Sequence, residues 1–286
     1  MSVKNESDHW DLIIEPKNSL LRLNLLDVWQ YRDLIILLVK RDFVSFYKQT
    51  ILGPIWFFLQ PVLTTLMYLL IFHMVANLST DSIPPILFYL SGVTCWNYFS
   101  EVLLKASDTF IANSNVFGKV YFPRLVMPVS VVISNLIRLG IQLLLFMLVW
   151  LYYLISTDLL QPKFEMLALF PFLVLLMAAL GIGIGIIFSS ITTRYRDMRF
   201  LLSFGVQLFM FATPIVYPLS LAPDRFRNFL ILNPFTAIIE TFRYAFLGQG
   251  VFNWYYLMIS TGLTLLILLL GIILFNKVEK TFIDTV

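Results

Sequence analysis

The apolar positions of this chain fall into long runs instead of short alternating patches. A hydrocarbon layer about 30 Å thick takes roughly 20 apolar residues of helix to cross. Stretches at approximately 55–77, 86–106, 126–155, 166–190, 201–219 and 255–275 meet that length. The pattern ahead of the first is different in kind. There Ile36, Val39, Phe43, Phe46 and Tyr47 share one helical face, while Arg41, Asp42, Ser45, Lys48 and Gln49 share the other. A helix of that sort lies in the membrane interface. Gly53-Pro54 then breaks it, and the chain turns into the bilayer.

Between the last two runs, residues 213–250 are too apolar for a plain loop, yet Pro214, Pro218, Pro223 and Pro234 interrupt them too often for another spanning helix. Short helices dipping back into the outer leaflet satisfy both facts, because irregular backbone at that depth must be buried in protein or line a cavity. An amphipathic hairpin on the surface is the alternative. The expectation is an all-α integral membrane protein with six transmembrane helices, an N-terminal amphipathic interface helix and re-entrant outer-leaflet helices before the last span. It divides into a cytoplasmic segment 1–30, the interface helix 31–53, a transmembrane domain 54–275 with its re-entrant part at about 220–250, and a cytoplasmic tail 276–286.

Composition removes the soluble alternative. Of 286 residues, 59% are hydrophobic and 13% charged, against roughly 45–50% and 25% in a soluble domain. The placement of Lys and Arg sets orientation, since cytoplasmic flanks carry the excess of basic residues. With the N-terminus inside, fifteen basic residues face the cytoplasm, Lys163, Arg225, Arg227 and Arg243 face outward, and Arg138 lies within a span. Both termini are therefore expected in the cytoplasm. The start is polar and of mixed charge (Lys4, Glu6, Asp8, Asp11, Glu15), unlike a cleaved signal peptide.

Catalytic and metal chemistry finds little material. Cys95 is the single cysteine, and His9 and His73 lie far apart, so no Cys/His metal site is supported. A phosphate loop of the form G-x-x-x-x-G-K-[ST] is missing, as are H-E-x-x-H and G-x-S-x-G. Gly181, Gly183 and Gly185 sit in apolar sequence without a lysine, which suits close helix packing. Glu101, Asp108 and Glu240 are the acids a membrane glycosyltransferase would have to use, but they lack a partner set at catalytic spacing.

Polar groups inside spans still need reasons, since an ionisable side chain in hydrocarbon costs at least about 2.5–3.5 kcal/mol. Glu101, Lys105 and Asp108 share a face at i, i+4 and i+7, with Glu before Lys in the favourable order. They form either a self-neutralising interfacial bridge or a contact to a neighbouring helix. Asn135, Arg138 and Gln142 form a second stripe. Its partner is either structural, the acids of the second span among them, or an anionic phosphate on a substrate path. Tyr89, Gly92, Trp96 and Phe99 share a third face, on which a sugar chain can stack and slide. The opposing reading is that these aromatics mark the interface or pack the bundle.

Ordered tags along the chain resemble a known family. They begin with Tyr31-Arg32-Asp33-Leu34, Lys40-Arg41-Asp42, Tyr47-Lys48-Gln49, Leu52-Gly53, Trp56 and Gln60-Pro61, and continue through Gly92, Trp96 and Phe99. Next come Lys119-Val120-Tyr121-Phe122-Pro123-Arg124, Pro128 and Tyr195-Arg196-Asp197, then Pro214, Tyr217-Pro218, Asn233-Pro234, Arg243 and Glu279-Lys280-Thr281-Phe282-Ile283-Asp284. The set is similar to the ABC-2 group of polysaccharide and polyol-phosphate export permeases, which includes O-antigen and teichoic-acid exporters. The resemblance implies a homodimeric permease carrying two copies of a separate ABC ATPase subunit. ATP and Mg would then bind that subunit, this chain would bind no cofactor and be no enzyme, and no nucleic acid is involved. The implied substrate is a lipid-linked glycan, such as the O-antigen of lipopolysaccharide, capsule or teichoic acid, moved across the cytoplasmic (inner) membrane of a bacterium.

Within that reading, Phe117, Lys119, Val120, Tyr121, Phe122, Pro123 and Arg124 are the candidate ATPase-coupling element, with a loop packed on the interface helix as the alternative. The Arg194-Tyr195-Arg196-Asp197 loop is a weaker candidate for the same role. Arg32, Lys40, Arg41, Tyr47 and Lys48 mark the interface helix, and Tyr89, Trp96, Phe99, Arg138 and Tyr217 are the substrate-path candidates. The rival readings are an ABC-2 exporter of a drug or small amphiphile, a membrane glycosyltransferase, and a passive channel or scaffold.

Overall fold

The structure, a computed structural model, describes residues 25–48, 53–113, 122–192, 195 and 197–282, and every regular element among them is helical. In chain order these are α1 (Leu25–Gln30), α2 (Arg32–Lys48), α3 (Trp56–Tyr68), α4 (Pro85–Ser107), α5 (Val126–Ser156), α6 (Phe170–Thr192), α7 (Met198–Phe211), α8 (Asp224–Leu232), α9 (Pro234–Leu247) and α10 (Trp254–Phe282). A π-helical stretch, Leu69–Val75, prolongs α3.

Among the described residues, four helical stretches are long and apolar enough to cross a membrane: Trp56–Val75, Val126–Ser156, Phe170–Thr192 and Trp254–Val278. The helix α4 has the length, with 23 residues, but carries Glu101 and Lys105. The expected run at 201–219 is shorter than its hydropathy suggested. Its helix stops at Phe211 after 14 residues, about 21 Å at 1.5 Å per residue, and the backbone is extended at Pro218.

The hub is α4, which packs against α3, α5, α6, α7 and α9. Pro85 occupies its first turn, where a missing N–H costs nothing, and its side chains are buried nearly all round from Leu87 to Ser107. A helix apolar on most of its surface is satisfied in that central place, with its one polar stripe turned to α5. The glycines of α6 permit the approach. A Cβ on Gly185 would fall 2.6 Å from Ala106 Cβ and 2.7 Å from the Leu103 carbonyl. On the opposite side, a Cβ on Gly271 of α10 would fall 2.6 Å from the Gly183 carbonyl. The glycine triplet therefore binds α6 between two neighbours by backbone proximity, as its apolar setting suggested.

The proline-broken stretch after α7 is held by one side chain. Arg243 of α9 is 1% exposed. It donates to the carbonyls of Pro214 at 2.6 Å, Ile215 at 2.9 Å and Phe88 at 3.3 Å, and to Ser91 Oγ at 3.3 Å. Glu240 lies 3.5 Å from its Nη1, and the guanidinium sits 3.7 Å from the Phe88 ring centroid. Backbone that has left the helix presents carbonyls needing donors, and a guanidinium supplies five in a fixed fork. Asn233 assists by donating to the Ala212 carbonyl at 3.1 Å and to Thr213 Oγ1 at 3.0 Å. The two helices that follow contrast: α8 exposes Phe226, Phe229 and Leu232, whereas α9 is buried along nearly its whole length.

Candidate functional site

The two polar stripes anticipated on α4 and α5 face each other. Asn97, Glu101 and Lys105 succeed one another a turn apart along α4, and Asn135, Arg138 and Gln142 do so along α5. Arg138 Nη1 lies 2.9 Å from Glu101 Oε2, and Lys105 Nζ lies 3.2 Å from the same oxygen. Lys105 also donates to Asn135 Oδ1 at 3.3 Å, and Asn97 Nδ2 reaches Gln142 Oε1 at 3.5 Å. Both readings of these residues are thus realised at once: the intrahelical pair on α4, and the bridge between spans. One carboxylate serves two cations.

Around this ladder lies a polar crevice of about 220 Å³, walled by Trp56, Phe57 and Gln60 of α3, Asn97, Tyr98, Ser100 and Glu101 of α4, and Asn135, Arg138, Leu139 and Gln142 of α5. The Arg138 guanidinium stands 5.1 Å from the Phe57 ring centroid, within cation–π range. Tyr98 is buried, yet its hydroxyl has no hydrogen-bond partner among the described residues. Buried hydroxyls are normally paired; Tyr89 and Thr94 of the same helix share this state, but of the three Tyr98 lines the crevice. Sequence reasoning missed Tyr98 and Asn97. The i, i+4, i+8 spacing of Asn97, Glu101 and Lys105 carried a signal for Asn97, whereas a lone tyrosine in an aromatic run carried none.

Asp108 departs from the face assigned to it. The helix ends at Ser107, so Asp108 turns away and accepts from Arg199 Nε at 2.7 Å, tying the end of α4 to the start of α7.

The aromatic face of α4 is closed. Tyr89, Trp96 and Phe99 are 0%, 6% and 0% exposed. Trp96 packs on Phe99, Phe209 and Phe235 with ring centroids 5.3, 5.9 and 5.5 Å away. Rings from α7 and α9 therefore occupy the surface on which a sugar would have to slide, and in this arrangement the stripe is core. Tyr217 lies apart from it, donating to the Phe211 carbonyl at 3.0 Å and lining an apolar cup beside Phe226 and Phe229.

On the interface helix, Arg32, Lys40, Arg41 and Lys48 are exposed, and Arg41 pairs with Asp42 at 2.9 Å. The side chain of Tyr47 lies outside the described residues. The residues turned into the protein adjoin the apolar stripe: Ile35 and Leu38 are buried, while Ile36, on the stripe, is 64% exposed. The reason is Phe122, which with Val126 and Met127 packs against Val28, Ile35 and Leu38. Of the stripe, Val39 packs against that cluster and Phe43 stacks on Phe57 with ring centroids 6.5 Å apart, and both line an apolar groove with Ile133 and Ile137 of α5; the side chain of Phe46 lies outside the described residues.

Of the candidate coupling residues, Phe122 and Arg124 are buried and Pro123 is half-buried. The Arg124 guanidinium lies 5.9 Å from the Phe110 ring centroid. Phe117, Lys119, Val120 and Tyr121 lie outside the described residues, as do Arg194 and Arg196.

Residues 33–247 match the family described as ABC-2 type transporter. The chain is 27% identical over 252 residues to the O-antigen export system permease protein RfbA of Klebsiella pneumoniae, covering 88% of this chain and 94% of the relative. Against the protein of the same name from Myxococcus xanthus, identity is 28% over 262 residues, covering 91% and 98%. The polysialic acid transport protein KpsM of Escherichia coli is 27% identical over 248 residues, covering 82% and 89%.

Proposed function

The chain belongs to the ABC-2 type transporter family, and from that premise we propose that it is the permease subunit of an ATP-driven exporter for a lipid-linked cell-surface polysaccharide. The observation that carries this reading is the near end-to-end alignment with O-antigen export permeases, 88–91% of this chain. ATP and magnesium act on a separate ABC subunit, and this chain converts that subunit's closure into movement of helices.

The proposed assembly is a homodimer with two ATPase subunits in the cytoplasmic membrane of a bacterium, with both termini cytoplasmic. Six helices cross. Four of them are the long apolar stretches, α4 crosses as the buried hub shielded from lipid by its neighbours, and α7 crosses together with the extended residues that follow it. The segment α8–α9 dips into the outer leaflet without crossing. The second copy follows from the family reading; the exposed Phe200, Leu201, Phe204, Leu208 and Phe211 of α7 suit either lipid or that copy.

Force enters through residues 113–124. Phe122 is wedged between the interface helix and the first turn of α5, so displacing it shifts α2 and α5 together. The helix α5 in turn carries Asn135, Arg138 and Gln142 into the crevice.

Disruption of the gene is expected to leave lipid-linked glycan on the cytoplasmic face; unchanged surface glycan overturns the reading. Orientation is tested separately. Cys95 is buried, so cysteines introduced at Ser82 or Asp158 are expected to react with an impermeant thiol reagent in intact spheroplasts, and one at Lys48 is expected to be protected. The reverse pattern removes the topology and the coupling role with it.

A further inference from the structure

We propose that the groove between α2 and α5 seats an acyl chain of an anionic phospholipid from the leaflet in which α5 begins, with Lys40 holding the headgroup at its mouth. Ile36, Val39 and Phe43 of α2 and Ile133 and Ile137 of α5 line a groove of about 310 Å³, and the one ionisable side chain among its lining residues is Lys40. A lysine in an apolar wall lays its methylene stem along the surface and keeps its ammonium at the edge. The groove thus offers apolar lining below and a positive charge above, the order in which a phospholipid presents its chain and its phosphate.

Depth agrees with this. The helix α5 has 31 residues, about 46 Å at 1.5 Å per residue, which matches the hydrocarbon together with both headgroup regions. Ile133 and Ile137 are its eighth and twelfth residues, about 10–17 Å from its start along the axis, and so stand just beneath the headgroup layer. Ile36, Ile133 and Ile137 are exposed, which leaves the groove open among the described residues.

Charge selects the lipid. The helix α2 carries Arg32, Lys40, Arg41 and Lys48 against Asp33 and Asp42, and Arg41 is already joined to Asp42 at 2.9 Å. Arg32, Ile36 and Lys40 follow one another a turn apart, so two exposed cations lie along the row that edges the groove. Basic residues at the membrane surface are drawn to anionic lipid. A second copy of the chain fits less well, because an isologous contact sets the same cations of both copies against each other. A soluble anion leaves the apolar wall uncovered. A chain wedged in the groove also spaces α2 from α5. Ile35 belongs both to the groove wall and to the cluster around Phe122, so the lipid stiffens the joint through which force enters. That last step rests on the coupling reading above; the site itself does not.

Binding of phosphatidylglycerol and of zwitterionic phosphatidylcholine to the purified full-length chain is measured by native mass spectrometry, with glycerol 3-phosphate as a soluble competitor. A phosphatidylglycerol carrying a photoreactive group on its acyl chain reports where the chain lies. Cross-links are expected to concentrate at residues 35–43 and 133–137. Lys40→Gln is expected to weaken phosphatidylglycerol about fivefold and to leave phosphatidylcholine unchanged. Ile137→Trp fills the groove, so it should weaken both lipids and move the cross-links elsewhere. Lys40 is exposed, so its variant keeps the test alive if Ile137→Trp fails to fold. Equal affinity for the two lipids, phosphatidylglycerol binding indifferent to Lys40→Gln, or cross-links spread evenly over the exposed faces of α3, α6 and α10 overturns the proposal. Displacement by glycerol 3-phosphate alone makes the ligand a soluble anion and overturns it as well. In the complex with the ATPase subunit, phosphatidylglycerol is expected to raise ATP hydrolysis for wild type and not for Lys40→Gln. Cross-linking at the groove without that effect supports the site and overturns only its role at the joint.

Discussion

Arg243 and Arg138, on helices α9 and α5, are held in different ways. Arg243 meets three backbone carbonyls, a serine hydroxyl, a carboxylate and a ring face, with 1% of its surface exposed. Arg138 shares Glu101 with Lys105 and stands at the wall of an open crevice. The first arrangement uses nearly every donor to hold backbone that proline has expelled from a helix. The second is part-buried, bridges two helices and lines a polar crevice. A buried cation held by many groups of its own chain is a structural device, whereas a part-buried one shared between two helices at a crevice can be changed at less cost.

The sharpest way to break this contrast is Arg243→Met. It leaves the Pro214 and Ile215 carbonyls without their donor and Glu240 buried with only the Val251 N–H at 2.9 Å. Removing one partner of a buried pair typically costs about 3–5 kcal/mol. Loss of folded protein in detergent, or a collapse of the thermal midpoint, is expected; a variant as stable as wild type shows that the clamp holds nothing. Gly92→Ala tests the same clamp more gently. The added Cβ would lie 2.9 Å from Ile215 Cγ2 and 3.2 Å from Arg243 Nη2, and overpacking of that kind costs about 1–3 kcal/mol. Its thermal midpoint should fall between those of Arg243→Met and wild type.

Glu101→Gln moves the contrast to the crevice. It strips the shared carboxylate from two cations, but the Glu101 side chain is 42% exposed and Lys105 keeps Asn135. Water and lipid headgroups therefore screen much of the change, and a loss of about 1–2 kcal/mol is expected, below the full cost of a buried pair. A loss as large as that of Arg243→Met would mean that the crevice is as much a structural keystone as the clamp.

How much of this was legible in the sequence differs between the two regions. Run length located the long helices, and i, i+4 spacing paired Glu101 with Lys105, because both follow from helix geometry alone; that Arg138 of α5 joins them depends on how two helices pack, which spacing left open. The fate of Asp108 did not follow: nothing but its neighbours marks Ser107 as the last residue of α4. What covers α2 was hidden for a related reason. Periodicity shows which residues share a face, but only Phe122, arriving from a distant segment, decides that Ile35 and Leu38 are covered and Ile36 is not. Trp96 and Phe99 were read as a possible path because a stripe looks the same whether Phe209 and Phe235 cover it or a substrate does. Tyr98 was invisible because an unmet hydroxyl is a property of three dimensions.

The smallest effect on stability is expected where the two arginines are compared directly, in Arg138→Met. The substitution removes a charge but not the last partner of Glu101, since Lys105 stays 3.2 Å from that carboxylate in the favourable i, i+4 order. The methionine side chain packs against Phe57 in place of the guanidinium, keeping apolar contact with the ring. Replacing a charged group by an apolar one of similar length is often neutral when no uncompensated ion remains, so the change should stay within about 1 kcal/mol. Arg243→Met makes the identical chemical change and should cost several times more. The measurement is a paired thermal or denaturant titration of both variants in the same detergent, and a double cycle with Glu101→Gln isolates the coupling at the crevice. If Arg138→Met is as damaging as Arg243→Met, the crevice arginine is structural and the distinction between the two sites fails. If it is nearly silent in stability but abolishes glycan export, the charge at Arg138 serves transport and not folding.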